Sequence, residues 1–201
     1  SIDNDEIAEL RDKFPGRFID FGGINPLLAG QPEELDRIAG MGFRGVGLDA
    51  GWLRRPLMYT DPIFNPIYER CQKYGMVCAM TASMMLGPNL EYSRPSQIME
   101  VAMRFPKMKI VVPHACYPHV HEIIAVAIRC PNVYLIPDCY VYIHGFPMSE
   151  EYVNAANSYL KYRILYGSTY PVRSLKQCKE GWMSRNFTKE ALEQTMYYNA
   201  K

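Results

Sequence analysis

The residues worth weighing first for chemistry stand where short apolar runs end. His114 directly follows the run Lys109-Pro113, and an imidazole held there can take or give a proton near neutral pH. Asp138 follows the run Asn132-Ile136 within Pro137-Asp138-Cys139-Tyr140, so its carboxylate can accept a proton or orient His114. Capping a loop is the plainer use of such an acid. Arg54 and Arg55 come after Asp49-Ala50-Gly51-Trp52, and their guanidinium forks suit a substrate carboxylate as well as they suit solvent. Thr81, Tyr140 and Thr169 are hydroxyls at or just beyond comparable runs, and they complete the candidate substrate-binding set.

Other groups are weaker candidates. His119 and His121 form an H-x-H, but the helical period after Pro118 turns i and i+2 to different faces, which makes a poor metal clamp. Ser168 and Thr169 have no nearby His-paired acid to mark either as a nucleophile. Met80, Met84 and Met85 near a strand end can line an apolar site, although core packing is the default for methionine.

The elements that must position these groups alternate regularly. Short runs rich in β-branched residues predict strands at Arg17-Phe21, Phe43-Leu48, Met76-Thr81, Lys109-Pro113, Asn132-Ile136 and Arg163-Tyr166. Helices fill the gaps. Pro32 opens one with Leu35, Ile38 and Ala39 on its apolar face, ended by Gly40 or Gly42. Ile63, Ile67 and Cys71 share a face before Gly75, and Ile98, Val101, Ala102 and Phe105 repeat the spacing after Pro95. His121, Ile124, Ala125 and Ile128 do so until Pro131, and Ser149 and Thr188 are expected N-caps. The alternation predicts one α/β domain over residues 1–201 with a parallel sheet, either doubly wound or a barrel. Phe21-Gly22-Gly23-Ile24-Asn25 is not G-x-G-x-x-G, which argues against dinucleotide binding.

Charge and apolar content exclude some partners. Lys plus Arg is 22 against 21 for Asp plus Glu, so nothing in the balance attracts nucleic acid or an acidic membrane. No apolar run approaches the roughly 20 residues that span a bilayer, and the polar start Ser1-Ile2-Asp3-Asn4-Asp5-Glu6 does not read as a signal peptide. The six cysteines contain no C-x-x-C and are expected to be reduced, in a cytoplasmic protein.

Several segments, read in order, resemble the amidohydrolase-related family of metal-dependent TIM-barrel hydrolases that are similar to aminocarboxymuconate-semialdehyde decarboxylase. Phe14-Pro15-Gly16-Arg17-Phe18 with Gly23-Ile24-Asn25-Pro26, then Gly42-Phe43-Arg44-Gly45-Val46, then Asp61-Pro62 through Pro66-Ile67-Tyr68-Glu69 carry the first half. Phe105-Pro106-Lys107-Met108-Lys109-Ile110-Val111 leading to His114, Pro131-Asn132-Val133-Tyr134-Leu135 and Arg163-Ile164-Leu165-Tyr166-Gly167-Ser168 carry the second.

The resemblance implies an α/β TIM barrel whose last six strands are present and whose first two are not. A full barrel takes about 250 residues, so an N-terminal truncation or a different way of closing the sheet is expected. An open sheet would expose edges that associate or are covered. Of the family's metal ligands, an H-x-H on the first strand, a His on the fifth and an Asp on the eighth, the first pair would lie upstream of Ser1 and the other two are not matched. Ala79-Met80-Thr81-Ala82-Ser83 occupies the fifth-strand position, and Thr169 stands in Gly167-Ser168-Thr169-Tyr170-Pro171 where the resemblance implies the acid. A neutral hydroxyl cannot supply the anionic oxygen that holds a metal. His114 alone keeps a matching position, and in the family that His polarises substrate or moves a proton.

No cofactor is therefore expected from this chain; the alternative is one divalent metal such as zinc. The first functional expectation is a hydrolase or decarboxylase acting on a small carboxylated or cyclic substrate, with His114 and Asp138 catalytic. The second is a non-catalytic relative that binds a ligand or a subunit. A small-molecule partner and a homodimer are expected; nucleic acid and membrane are not.

Overall fold

The computed structural model describes residues 3–201, so Ser1 and Ile2 of the polar start lie outside the described residues. Asp3 caps the helix α1 (Asn4–Lys13) by accepting from the Asp5 amide, with acids in the first turn and Arg11 and Lys13 in the last. The alternation then runs β1 (Phe21–Gly23), α2 (Gln31–Gly40), β2 (Gly45–Leu48), α3 (Asn65–Tyr74), β3 (Val77–Met80), α4 (Pro95–Arg104), β4 (Ile110–Pro113), α5 (Val120–Arg129) and β5 (Val133–Ile136). Beyond it lie α6 (Cys139–Tyr142), α7 (Glu150–Ala156), α8 (Leu175–Met183) and α9 (Lys189–Met196).

All strand pairs are parallel, and the sheet order is β1-β2-β3-β4-β5. That order settles what periodicity left open. A doubly wound sheet reverses direction at a switch point, which puts helices on both faces; a strictly sequential parallel sheet with right-handed crossovers puts every helix on one side, as in a barrel wall. Val46, Leu48, Cys78, Met80, Ile110, Val112, Val133 and Leu135 are buried and alternate with half-buried neighbours such as Val77, Val111 and Tyr134, so one face of the sheet is the more deeply covered.

Three expectations need correction. The first strand starts at Phe21 rather than Arg17, because Asp20 is buried in an ion pair with Arg11 at 2.8 Å and the chain before Phe21 forms no ladder. The segment 163–166 runs parallel beside β5 but pairs only through Ile164 and Leu135, with the Leu135 amide donating to the Arg163 carbonyl and the Leu165 amide to that of Leu135. In α5 the buried face is Val120, Ile123, Val126 and Ala127, while His121, Ala125 and Ile128 are exposed. Val-His-Glu-Ile-Ile-Ala-Val-Ala-Ile-Arg is apolar on more than one face, so spacing alone could not choose between them.

The caps differ in use. Thr188 accepts from the Ala191 amide as expected of an N-cap, whereas Ser149 sits before α7 with its hydroxyl bound by Arg185 instead. Gly75 ends α3 at φ 66°, a left-handed position that favours glycine. The sheet edges are covered rather than bare. The Asn4 side-chain amide accepts from the Gly23 amide at 2.9 Å and donates to the Gly23 carbonyl, as a neighbouring strand would. At the other edge Asn199 donates to the carbonyls of Lys161 and Ile164. Among the described residues no helix is long and apolar enough to cross a membrane, and all six cysteines are free thiols.

Candidate functional site

Three strand ends converge on one small cluster. After β4 the chain turns through His114, Ala115 and Cys116 at φ 64°, 43° and 56°; after β5 Asp138 sits at φ 34°; beyond the 163–166 segment Thr169 sits at φ 47°. These are left-handed conformations that cost an L-residue about 1–2 kcal/mol each. Among the described residues only Met148 shares this conformation elsewhere without being glycine. Strain of this kind persists where the surroundings over-determine it, and it clusters at functional sites.

The turns bring His114 and Asp138 together. His114 Nδ1 lies 2.9–3.0 Å from the two Asp138 carboxylate oxygens, and the same carboxylate accepts from the His114 amide at 3.2 Å and the Cys139 amide at 2.6 Å. The Asp138 side chain is 4% exposed and that of His114 is 16% exposed. With Nδ1 engaged, Nε2 is the nitrogen left for a ligand. An aspartate so placed fixes the imidazole's orientation and tautomer, the usual way of preparing a general base.

Tyr140 packs edge-on to His114 with ring centroids 6.1 Å apart, stacks on Tyr117 at 4.1 Å, and shares a hydrogen bond of 2.7 Å with the Ser83 hydroxyl. Burial pushes its phenol up to about 12, so it stays protonated at neutral pH. Burial, followed by the Asp138 charge, likewise pushes the Cys139 thiol up to about 12, with the neighbouring Thr169 hydroxyl acting the other way. Thr169 Oγ1 is itself buried without a hydrogen-bond partner.

The remaining candidates are placed differently. Thr81 enters the wall through its carbonyl, which accepts from the Tyr59 hydroxyl at 2.7 Å. Arg54 and Arg55 are exposed in the loop after β2; among the described residues neither forms an ion pair, and no hydrogen bond ties them to His114 or Asp138. His119 is half-buried with an unpartnered Nε2 while His121 is exposed, so the H-x-H does not converge. Among the described residues the only group of three or more metal-capable side chains is His114, Asp138 and Cys139, whose donor atoms all lie within 4.8 Å of one another. Ser83 and Cys139 had not been singled out. Ser83 stands two residues past Thr81 and Cys139 one past Asp138, so proximity to a strand end was the signal that would have found them.

Comparison with known proteins agrees with this architecture. No curated protein matches the chain. Among solved structures it is similar to an uncharacterised TIM-barrel protein from Bordetella bronchiseptica, with 32% identity and a TM-score of 0.93, covering 100% of this chain and 71% of that one. It also shares its fold with 2,6-dihydroxybenzoate decarboxylase from Rhizobium, at 16% identity and a TM-score of 0.76, over 98% of this chain and 74% of the other. The third is 5-carboxyvanillate decarboxylase from Sphingomonas paucimobilis, at 16% identity and a TM-score of 0.73, over 98% and 69%. The family model described as amidohydrolase matches residues 2–201. With a parallel barrel wall, a strained histidine–aspartate pair at its strand ends and a match over nearly its whole length, the chain belongs to the amidohydrolase family.

Proposed function

We propose that this chain carries a hydrolase- or decarboxylase-type acid/base site for a small carboxylated or cyclic molecule. The observation that carries the proposal is the His114–Asp138 pair, held at 2.9–3.0 Å by left-handed backbone at two neighbouring strand ends. His114 Nε2 takes or delivers the proton at the reacting carbon or oxygen. Asp138 holds the ring so that Nε2 is the nitrogen left to act. Thr169 Oγ1, which has no partner, and the Ser83-bound Tyr140 hydroxyl supply neutral hydrogen bonds. Arg54 and Arg55 are the unpaired cations assigned to the carboxylate.

The metal that the family resemblance implies does not fit the residues at its expected positions. Ala79-Met80-Thr81 offers no imidazole, and Thr169 offers a neutral oxygen where an anionic one is needed. The usual divalent site is read as degenerate, and no step is routed through it. Homodimer formation and a cytoplasmic location belong to the same reading, the latter supported by six free thiols.

The test is turnover of a panel of aromatic and cyclic carboxylates, including 2,6-dihydroxybenzoate and 5-carboxyvanillate, by the unmutated protein, His114→Gln and Asp138→Asn. General acid/base catalysis contributes about 10²–10⁴-fold, so His114→Gln should lower kcat by that factor with KM little changed. A second reading, a non-catalytic relative that binds a ligand, is favoured by Thr169 in the acid's place. Saturable binding without turnover in the unmutated protein would select it.

A further inference from the structure

The cluster beside the proposed acid/base pair has a donor set different from the one the family resemblance implies. It joins an imidazole nitrogen, a carboxylate and a thiol, from the ends of β4 and β5, with donor atoms no more than 4.8 Å apart. We propose that His114 Nδ1, the Asp138 carboxylate and Cys139 Sγ bind one thiophilic divalent cation of the zinc or cobalt class.

The geometry is close to what such an ion needs. Metal–nitrogen and metal–oxygen bonds of roughly 2.0–2.1 Å in a tetrahedron place those two donors roughly 3.3 Å apart. His114 Nδ1 and the Asp138 oxygens already stand at 2.9–3.0 Å. The sulfur lies within 4.8 Å of the other donors, and metal–sulfur bonds of roughly 2.3 Å would place it roughly 3.5 Å from them. The Asp138 amide neighbour supports the carboxylate from behind, through the Cys139 N–H at 2.6 Å. Thr169 Oγ1 is a buried oxygen beside the same thiol, so a further neutral donor atom lines the place where the ion would sit.

Mixed nitrogen, oxygen and sulfur donors select zinc or cobalt over magnesium or calcium, which take oxygen. On binding, the Cys139 S–H bond breaks and its proton goes to solvent; the thiolate and carboxylate together neutralise the dication. Nδ1 gives up its hydrogen bond to Asp138 and coordinates the ion, which leaves Nε2 as an N–H. Nε2 is then a donor and no longer a base, so the bound ion would switch off the general-base role proposed above. The inference uses that role only for this consequence; the site itself stands on the donor geometry.

The experiment is a Co2+ titration of the reduced protein, read by visible and near-ultraviolet absorption, with Cys139→Ser and His114→Gln in parallel. One cobalt per chain is expected, with a thiolate-to-cobalt charge-transfer band that Cys139→Ser abolishes, and at least a tenfold loss of affinity in each variant. X-ray absorption of the zinc-loaded unmutated protein should show one sulfur neighbour and needs no variant to fold. Absence of binding, a charge-transfer band retained in Cys139→Ser, or a zinc shell without sulfur would overturn the proposal. Cobalt binding without any turnover would keep this site and sink the acid/base reading; turnover with no cobalt spectrum would do the reverse.

Discussion

At Thr169 one of the ligand positions that the resemblance implies carries a neutral hydroxyl in place of an acid. The residue keeps a left-handed backbone at φ 47°, a conformation aspartate tolerates, and its hydroxyl is buried without a partner. Thr169→Asp is therefore expected to fold. Its new carboxylate would lie in the cluster that already holds Asp138, so the metal-free variant should lose about 1–3 kcal/mol by like-charge repulsion and desolvation. Zinc should restore the loss. Thermal unfolding with and without zinc checks both halves, and a variant as stable as the parent without metal would refute the placement. His114 and Asp138 were legible in the sequence because one directly follows an apolar run and the other stands two residues past one, and strand ends are where barrel side chains meet. That Asp138 could orient His114 was one of two uses expected of it; the contact distance was not legible, because the pair joins residues 24 apart across two strands. Cys139 and Ser83 were overlooked for the same reason: a thiol in an apolar segment and a lone serine mean nothing until Asp138 and Tyr140 stand against them.

The elements themselves follow local rules, and their seams carry the testable energetics. Asn4 lies at the edge of β1, exchanging hydrogen bonds with both backbone groups of Gly23 and donating to Glu34 at 2.7 Å. Asn4→Ala removes these hydrogen bonds, two of them to an exposed glycine, and should cost about 0.5–1.5 kcal/mol, measured as a fall in the urea midpoint at unchanged m-value. An open sheet was expected to associate through its edges or to have them covered; asparagine amides bond backbone at the β1 edge and beside the 163–166 segment. Gly181 on α8 faces α6 so closely that an added Cβ would collide with the Tyr142 carbonyl. Backbone cannot yield as a flexible side chain does, so Gly181→Ala should destabilise by about 1–3 kcal/mol despite the better helix propensity of alanine. Calorimetry reads that directly. The misassigned face of α5 shows the limit of periodicity, since a helix apolar on two sides is oriented only by what packs on it.

For the molecule as a whole, the pH response follows from groups whose folded environment differs from solvent. The Arg37 guanidinium, with help from the Asn4 amide, holds the Glu34 carboxyl below its ordinary value of 4.5. A depressed folded value means that the unfolded chain binds the proton first. The contribution is thus fully present above pH 4.5 and is lost as pH falls through the lower folded value. Glu34→Gln should be less stable than the parent at neutral pH, and the gap should close on acidification. Urea midpoints measured from neutral pH downward test it; a constant gap would contradict it. The effect is modest because Arg37 is largely solvated, which screens the pair.

Alternating apolar runs and helical stretches determined that this is an α/β protein with parallel strands, because side-chain period is a local property of the chain. The ordered resemblances determined the family. Which way the sheet winds was decided only in three dimensions, where strand order, and not hydrophobicity, distinguishes a barrel wall from a doubly wound sheet. The same holds for the site. Sequence supplied a histidine and an aspartate at strand ends, but the convergence of imidazole, carboxylate, thiol and orphaned hydroxyl depends on three neighbouring strands ending together, a contact between distant residues that no local pattern encodes.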